Sequence, residues 1–487
     1  MTIQQKQEYL RTIDEVIASG KYKDNWESLS AHPAPKWFTD GKFGIFIHWG
    51  IYSVPAYGSE WYSRNMYLKD SGEYKHHIET YGPQKDFGYK DFIPMFKAEH
   101  FDADEWMSLF KEAGAMYVVP VAEHHDGFQM YKSDISHWNA YEMGPKRDVL
   151  GELTEAAKRQ GLINCASTHR IEHWFFMGHG REFESDITDA EKHGDFYWPA
   201  MPEPDHYDIE SEPHPTKEFL DDWFLRTCEI IDKYRIHQLY FDWWILHSAA
   251  KPYLKKIAAY YYNRAEEWGE EVMITYKHDA YAFGTAVVDM ERGKFAEIKP
   301  FPWQTDTAIG IRSWGYTTDN IFKDPRDIIR DIVDIVSKNG CMLLNVGPRP
   351  DGTITDEEKS VLLEIGKWLK TNGEAIYGTH AWRIAAEGPT KMREGMFTDN
   401  EGYDYTREDF RFTMKGSDIY AVCLAYPEDG KICIKSLKNG SPHTITTDVE
   451  VLGFDEKPKW TRDDEGLHIE TSNVSSGYPV VFKISMM

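Results

Sequence analysis

The run Gln238-Leu239-Tyr240-Phe241-Asp242-Trp243-Trp244 decides how the rest of the chain is interpreted. Asp242 is its only charge and the other residues are apolar, aromatic or neutral, which is typical of a fully buried strand in a parallel sheet. A carboxylate at the end of such a strand costs free energy to bury unless it has partners or a chemical role. Taken alone, Asp242 is either the cap of the following helix or a functional group at a strand end.

Working outward from this run, the same alternation of apolar strands and amphipathic helices recurs, which predicts an α/β protein. No Gly-rich phosphate motif follows the first strand, and polar residues stand at the carboxyl ends of several strands. These features favour a (β/α)8-like barrel over an open doubly wound sheet. We predict that this domain and a preceding N-terminal helix cover residues 1–377. The predicted strands are 43–48, 117–121, 162–166, 238–244, 272–276, 286–289 and 341–346, and the predicted helices are 103–115, 151–160, 217–233, 250–268, 325–338 and 356–372.

The pattern changes after about Tyr377, where short strands alternate with turns. Phe410, Phe412 and Met414 alternate with polar residues, and similar runs follow at intervals typical of a β-sandwich. We therefore predict a C-terminal β-sandwich domain over residues 378–487. It could itself bind carbohydrate, but support for the barrel is the simpler interpretation.

Composition excludes several classes of partner. The 487 residues include 55 Lys and Arg against 80 Asp and Glu, a net charge of −25, which repels nucleic acid and anionic membranes. The five cysteines are odd in number and form no CxxC pair, which indicates a reducing compartment. No apolar leader is recognised in residues 1–22 and no apolar run reaches the length of a membrane span, so a cytoplasmic protein is expected.

Histidines stand at two further strand ends. His48 closes the strand at 43–48, and His124 and His125 follow the strand at 117–121. Because adjacent strand residues point to opposite sides, we do not expect the histidine pair to bind one metal ion. We predict hydrogen bonds to a ligand instead, and no metal or other cofactor. The long polar and aromatic stretch 167–215 is predicted to cover or shape the same site.

If the site that contains Asp242 cleaves a glycosidic bond, it needs a second carboxyl group to protonate the leaving oxygen. Glu291, just after the strand at 286–289, is the first candidate, and Asp289 and Glu297 are its rivals. A Glu beside an Arg is usually a surface ion pair, so Glu291 alone indicates little.

Several longer strings together identify a family resemblance. The chain resembles the family 29 glycoside hydrolases, the α-L-fucosidases, over nearly its whole length. The resemblance implies a retaining, exo-acting α-L-fucosidase that works through a covalent fucosyl-enzyme on a small-molecule, oligosaccharide or glycoconjugate substrate. Whether the protein forms a homo-oligomer is left open. The strings are FGIFIHWGIYSVPA (43–56), SEWYS (59–63), EHHDGF (123–128), SDISHWNA (133–140), RDVLGEL (147–153), YFDWW (240–244), SWGY (313–316) and NGCMLLNVGPRPDGTI (339–354).

By position, the resemblance implies that Asp242 is the nucleophile and Glu291 the acid/base, with carboxyl groups about 5–5.5 Å apart. Asp242 is expected to stay ionised, and the pKa of Glu291 is expected to be raised. Trp314 is implied to pack against the sugar ring or its methyl group. The residues implied to hold the sugar hydroxyls are His48, Glu60, Trp61, His124 and His125.

The chain departs from the family pattern at three places. Lys277 replaces an Arg, keeping the cation but losing the planar fork, and we predict that it contacts the substrate or the nucleophile. Residues 166–170 replace an aromatic-Ser segment, which makes His169 a candidate sugar contact. Trp303-Gln304 replaces a Trp-Glu pair, and we expect this to alter a leaving-group contact.

Three other functions are compatible with the same residues. One is a retaining glycosidase for another sugar, such as galactose, and a second is a non-catalytic carbohydrate-binding protein. The third is a metal-dependent hydrolase that uses His124, His125 and Asp126.

Overall fold

The predicted barrel is confirmed. The computed structural model describes residues 1–441 and 445–487. Within these residues, parallel strands run in the order β7-β6-β5-β4-β2-β1-β9-β8, with β3 paired to β2 just before β4. A parallel bridge between Asp289 and Gln304 joins the two outer strands, so the sheet closes on itself. The strands are β1 (Phe43–Ile47), β2 (Tyr117–Glu123), β3 (Ile163–Asn164), β4 (Ala166–Thr168), β5 (Gln238–Phe241), β6 (Met273–Tyr276), β7 (Val287–Val288), β8 (Trp303–Ala308) and β9 (Gly340–Val346).

Helices surround the barrel and begin where the sequence supplies caps. The side chain of Thr216 accepts a hydrogen bond from the Phe219 amide at the start of α9, and Thr355 caps α12 in the same way. The Glu358 carboxylate in the first turn of α12 accepts a bond from the Gly347 amide at 2.8 Å, which ties this helix to the end of β9. The helices are α1 (Ile3–Ser19), α2 (Trp26–Leu29), α3 (Lys36–Gly41), α4 (Tyr62–Asn65), α5 (Gly72–Tyr81), α6 (Ala103–Glu112), α7 (Val149–Gln160), α8 (His173–Phe176), α9 (Lys217–Tyr234), α10 (Lys251–Trp268), α11 (Pro325–Val336) and α12 (Asp356–Asn372).

The lower part of the barrel interior is apolar and tightly packed. Phe46, Tyr240 and Leu343 belong to one buried cluster contributed by several strands. Gly44 is required beside Tyr117, because a Cβ atom at this position would lie 2.4 Å from the tyrosine ring. The interior is therefore a filled core, and a ligand can enter only beyond the carboxyl ends of the strands.

Strand β8 was not predicted from the sequence. Its residues Trp-Gln-Thr-Asp-Thr-Ala are mostly polar, yet all of them are buried. Gln304 donates to Asp289 at 2.6 Å and Asp306 accepts from Tyr240 at 2.7 Å, so polar partners inside the barrel replace the apolar contacts of an ordinary strand. An apolar run was the signal used for the other strands, and this strand lacks it.

The predicted C-terminal β-sandwich is also confirmed. Its strands form one antiparallel sheet in the order β10-β11-β12-β17-β14 and a second in the order β13-β16-β15, and an apolar core lies between the sheets. Of these strands, β10 and β15 were not predicted. The strands are β10 (His380–Glu387), β11 (Phe410–Lys415), β12 (Asp418–Cys423), β13 (Lys431–Ile434), β14 (Thr446–Val451), β15 (Lys459–Arg462), β16 (Leu467–Glu470) and β17 (Val480–Met486).

The two domains share buried contacts. The Trp368 indole of α12 donates to the carbonyl of Pro479 at 2.9 Å, and Asp334 of α11 forms a buried ion pair with Arg411 of β11. The proposed boundary after residue 377 falls between the end of α12 and the start of β10 and stays a prediction. All five cysteines are free thiols, four of them buried. Among the described residues, no helix combines the length and the hydropathy needed to span a bilayer.

Candidate active site

A cavity of about 570 Å³ opens at the carboxyl ends of the barrel strands. Every residue predicted to act in catalysis or to hold the sugar lines it. The structure therefore brings together Asp242, Glu291, His48, Glu60, Trp61, His124, His125, Lys277 and Trp314.

Strand periodicity explains how distant residues meet there. Side chains two residues apart on a strand point to the same face. His48 stands two residues beyond Phe46 of β1, and Asp242 stands two residues beyond Tyr240 of β5; Phe46 and Tyr240 both face the barrel interior. The last inward-facing side chains of these strands form the floor of the cavity.

Asp242 is held by two histidines. Its Oδ2 atom lies 3.2 Å from His125 Nε2 and 3.2 Å from His169 Nδ1. Burial alone would raise the pKa of Asp242, but the two histidines and the Lys277 cation outweigh it and hold this pKa well below its usual value. Asp242 is therefore an ionised carboxylate that faces the cavity. His169, a candidate sugar contact in the sequence, is a direct partner of this carboxylate.

Glu291 has the opposite electrostatic environment. Burial raises its pKa to about 7; the Lys277 cation opposes this shift, and the charges of Asp306 and Asp242 add to it. Its carboxylate accepts a hydrogen bond from the Trp243 indole, the residue next to Asp242. Of its two rivals, Glu297 is exposed outside the cavity and Asp289 is buried beneath it.

Lys277 is buried among carboxylates. Its Nζ atom lies 3.0 Å from Asp289, 3.0 Å from Asp306 and 3.2 Å from Glu291. Burial would lower its pKa, but these carboxylates raise it well above the usual value. Lys277 therefore stays charged. Its direct partners are Glu291 and the two carboxylates next to it, and not Asp242.

The histidine pair corrects one expectation. His124 and His125 both line the cavity, with ring centroids 4.1 Å apart. The prediction that they point to opposite sides is wrong because β2 ends at Glu123 and its pairing with β4 is irregular between Val121 and Glu123. The Asp126 carboxylate accepts bonds from the Tyr89 hydroxyl and the Phe128 amide.

Two groups of side chains have the donor atoms to hold a metal ion. His48, His124 and His169 present nitrogen atoms within 4.8 Å of one another, and His125, His169 and Asp242 form a second group. Burial lowers the pKa of His48 and His124 well below the usual value, so both rings are neutral, as metal ligation requires. However, both ring nitrogens of His169 already have a partner: Ser167 contacts Nε2 and Asp242 contacts Nδ1. Whether the site works without a metal stays a prediction.

The remaining predicted residues form one wall of the cavity. Glu60 accepts bonds from the Ser313 hydroxyl at 2.9 Å and the Trp314 amide at 3.0 Å. Asn345 bonds the His48 ring at 2.7 Å and the Trp314 carbonyl at 2.7 Å. Trp61 stands edge-on to His125. The wall combines fixed polar atoms with indole faces, the mixture that a sugar requires.

The structure corrects the expectation for Trp303-Gln304. Gln304 is fully buried in β8 and bonds Asp289 and Gln238 inside the barrel. It does not line the cavity, so the predicted change in a leaving-group contact is wrong.

Sequence reasoning missed Glu172. This cavity-lining carboxylate is only 1% exposed, and neither of its oxygens makes a hydrogen bond in the described structure. Its nearest basic neighbour is His125 Nε2, at 3.3 Å. Burial, reinforced by the charges of Asp242 and Glu291, raises the pKa of Glu172 well above its usual value. The only signal was its place in the stretch 167–215, which also supplies the cavity-lining residues 206–209.

Strained backbone surrounds the mouth of the cavity. Trp244, His278 and Phe397 all line it and have φ angles of 71°, 53° and 57°. Bulky residues rarely adopt this region, and such strain concentrates at functional sites. Phe397 belongs to the loop between β10 and β11, so the C-terminal domain contributes to the site.

Comparison with known proteins identifies the family. A family model described as alpha-L-fucosidase matches residues 10–374, and a model of the alpha-L-fucosidase C-terminal domain matches residues 403–484. The chain belongs to the alpha-L-fucosidase family. It is therefore a glycoside hydrolase, and the resemblance found in the sequence is confirmed.

Individual relatives of this family member match over nearly their whole length. Rat tissue alpha-L-fucosidase is 31% identical over 472 residues, which cover 95% of this chain and 92% of the relative. Human tissue alpha-L-fucosidase is 32% identical over 456 residues, covering 92% and 87%. The crystal structure of Thermotoga maritima alpha-fucosidase superposes with a TM-score of 0.74 at 30% identity, covering 95% of this chain and 100% of that one. The same enzyme is known in complex with fucose and with a mechanism-based inhibitor.

Proposed function

We propose that this protein is a retaining α-L-fucosidase that removes terminal α-L-fucosyl groups from small fucosides, oligosaccharides or glycoconjugates. One observation carries the proposal. Asp242 and Glu291 line one cavity, yet the pKa of Asp242 is held well below its usual value while that of Glu291 is raised to about 7. Two carboxyl groups with separated pKa values are what a nucleophile and a proton donor need.

In the first step, Glu291 protonates the leaving oxygen while the Asp242 carboxylate attacks the anomeric carbon, giving a covalent fucosyl-enzyme and a free alcohol. In the second step, the Glu291 carboxylate accepts a proton from water, the water oxygen attacks the anomeric carbon, and Asp242 leaves. Two inversions give net retention. The His125 and His169 contacts at 3.2 Å orient Asp242 for the attack.

Sugar recognition follows from the histidines and the tryptophan that line the same cavity. The neutral rings of His48 and His124 offer hydrogen-bonding atoms to the hydroxyls, and Trp314 offers an apolar face to the methyl group. The Thermotoga maritima relative is known in complex with fucose, which supports a fucosyl group as the sugar that is bound. An apolar face rejects the extra hydroxyl of L-galactose only modestly, so we expect slow cleavage of the matching α-L-galactoside.

The test replaces the nucleophile. We expect Asp242→Gly to lower turnover of nitrophenyl α-L-fucoside by several orders of magnitude. Added azide then restores part of it and yields β-L-fucosyl azide, because azide enters on the face that the carboxylate has vacated. Turnover near the wild-type rate, or rescue with retained configuration, would reject Asp242 as nucleophile. A wild-type protein that binds fucose but never turns over would favour a carbohydrate-binding function instead.

A further inference from the structure

A loop of the C-terminal domain reaches the acid side of the cavity. The loop joins β10 to β11, and its backbone pairs with the segment that follows β7. The Phe397 amide donates to the Glu291 carbonyl at 3.0 Å, and the Thr398 amide donates to the Arg292 carbonyl at 2.7 Å. Lys294 and Gly395 exchange a further pair of backbone bonds. These contacts fix the position of Phe397 relative to Glu291.

Phe397 is exposed where a buried ring would be expected. Its side chain is 58% exposed, lines the cavity and stacks on Trp243 with ring centroids 6.2 Å apart and an interplanar angle of 21°. Trp243 in turn donates to the Glu291 carboxylate. The ring therefore stands next to the group that we assign to protonating the leaving oxygen, which is where the leaving group must lie.

A second depression continues from the cavity past this ring. This side groove has a volume of about 430 Å³ and shares Phe397, Trp61, Trp314 and Glu60 with the main cavity. Beyond the shared rings it offers amide and guanidinium groups, the combination that binds the faces and hydroxyls of sugars. We define the side groove by Ser59, Trp61, Asn65, Arg312, Phe397 and Asn400.

We propose that the side groove binds the saccharide leaving group and that Phe397 stacks on its first sugar. This inference rests on the proposed function and extends it, because it makes the C-terminal domain part of substrate recognition. The enzyme then prefers α-L-fucosyl oligosaccharides to fucosides of small alcohols. Tyr207, which is 98% exposed, and Ile209, which is 46% exposed, line the main cavity but not the side groove. Neither pairs with the Glu291 segment, so we assign the leaving group to the Phe397 side.

The experiment compares two substrates whose leaving groups both need protonation. One is methyl α-L-fucoside and the other is a trisaccharide with a terminal α-L-fucosyl group. For Phe397→Ala we expect the ratio of kcat/KM for trisaccharide over methyl fucoside to fall by about threefold to tenfold, the range for loss of one stacking contact. Phe397→Tyr keeps an aromatic ring and should preserve the ratio. Phe283→Ala removes a ring that is 70% exposed and lies outside both depressions, and should leave both rates unchanged.

A second variant removes a polar side chain of the side groove and leaves the aromatic ring of the loop in place. Arg312→Ala, on the barrel side of the groove, should also lower the ratio. An unchanged ratio in Phe397→Ala and Arg312→Ala overturns the proposal, and so does an equal loss on both substrates, which would show that Phe397 only positions Glu291. A lowered ratio in Tyr207→Ala alone would place the leaving group beside Tyr207 and would also overturn the proposal. Failure of the wild-type protein to cleave either fucoside would refute the proposed function itself.

Discussion

Glu291 gives the sharpest prediction, because its role depends on a proton that pH can remove. The perturbation is a pH series on the wild-type enzyme and on Glu291→Gln. Below its pKa of about 7, Glu291 carries the proton that the leaving oxygen needs. A fucoside of a simple alcohol requires that proton, whereas a dinitrophenyl fucoside has a leaving group that departs as the anion.

The magnitude follows from the pKa. A group with a pKa of about 7 is about 90% protonated at about pH 6 and about 10% protonated at about pH 8. We therefore expect kcat/KM for methyl α-L-fucoside to fall about tenfold over this interval, since kcat/KM reports the free enzyme. Burial lowers the pKa of His125 to about 4, so its ring stays neutral at higher pH and the profile should be flat between about pH 5 and 6.

The assay measures both substrates on both proteins. Dinitrophenyl fucoside should show no loss of kcat/KM between about pH 6 and 8 on the wild-type enzyme. Glu291→Gln should slow methyl fucoside by about 10²- to 10⁴-fold, remove its alkaline limb, and change dinitrophenyl kcat/KM little. Glu297→Ala, an exposed carboxylate on the same segment, is the matched control and should behave as wild type. The reasoning is refuted if the alkaline limb persists in Glu291→Gln, or if both substrates lose rate equally.

Two further predictions concern buried ion pairs. Lys277→Met removes the cation 3.2 Å from Glu291 and so favours the neutral form of Glu291. The alkaline limb of the kcat/KM profile should therefore move to higher pH, and a limb at the same or a lower pH would contradict this. Asp334→Ala leaves Arg411 buried without its partner and should cost about 3–5 kcal/mol in denaturant unfolding. Asp429→Ala, at an exposed ion pair, is the control and should change the unfolding free energy little. Burial would raise the pKa of Asp334, but its basic partners lower it below the usual value. The stability that this ion pair contributes is therefore present at neutral pH and should be lost only below about pH 4.

Much of the barrel and of the site could be predicted because buried strands are visible in the sequence as continuous apolar runs. The runs at β1, β5 and β9 are continuous and buried, and after β1 and β5 the functional residue stands two positions beyond an inward-facing aromatic residue. His48 and Asp242 were found in this way. The same rule failed for the histidine pair, because an irregular end of β2 breaks the alternation. Irregularities of this kind depend on the neighbouring strand, which a local pattern does not contain.

Residues contributed by distant parts of the chain were harder to find. Phe397 lies more than 100 residues beyond Glu291, in a loop of another domain, and only the backbone pairing between the two segments brings it to the site. Glu172 does not stand directly at a strand end and carries no motif. Strand β8 escaped prediction because its inward residues, Gln304 and Asp306, are polar. Each of these features is decided by long-range packing and not by local propensity.

The missed strand explains why Glu291 holds its proton. Asp289, Glu291 and Asp306 stand close together, and Lys277 is the only cation in direct contact with them among the described residues. One positive charge cannot balance three buried carboxylates, so the layer is neutral only when it retains protons. The pKa values of Asp289 and Glu291 are both raised. Of these two groups with a raised pKa, Asp289 lies beneath the cavity, so Glu291 is the one that can pass its proton to a substrate, and Asp306 of β8 is one of the charges that keep it there.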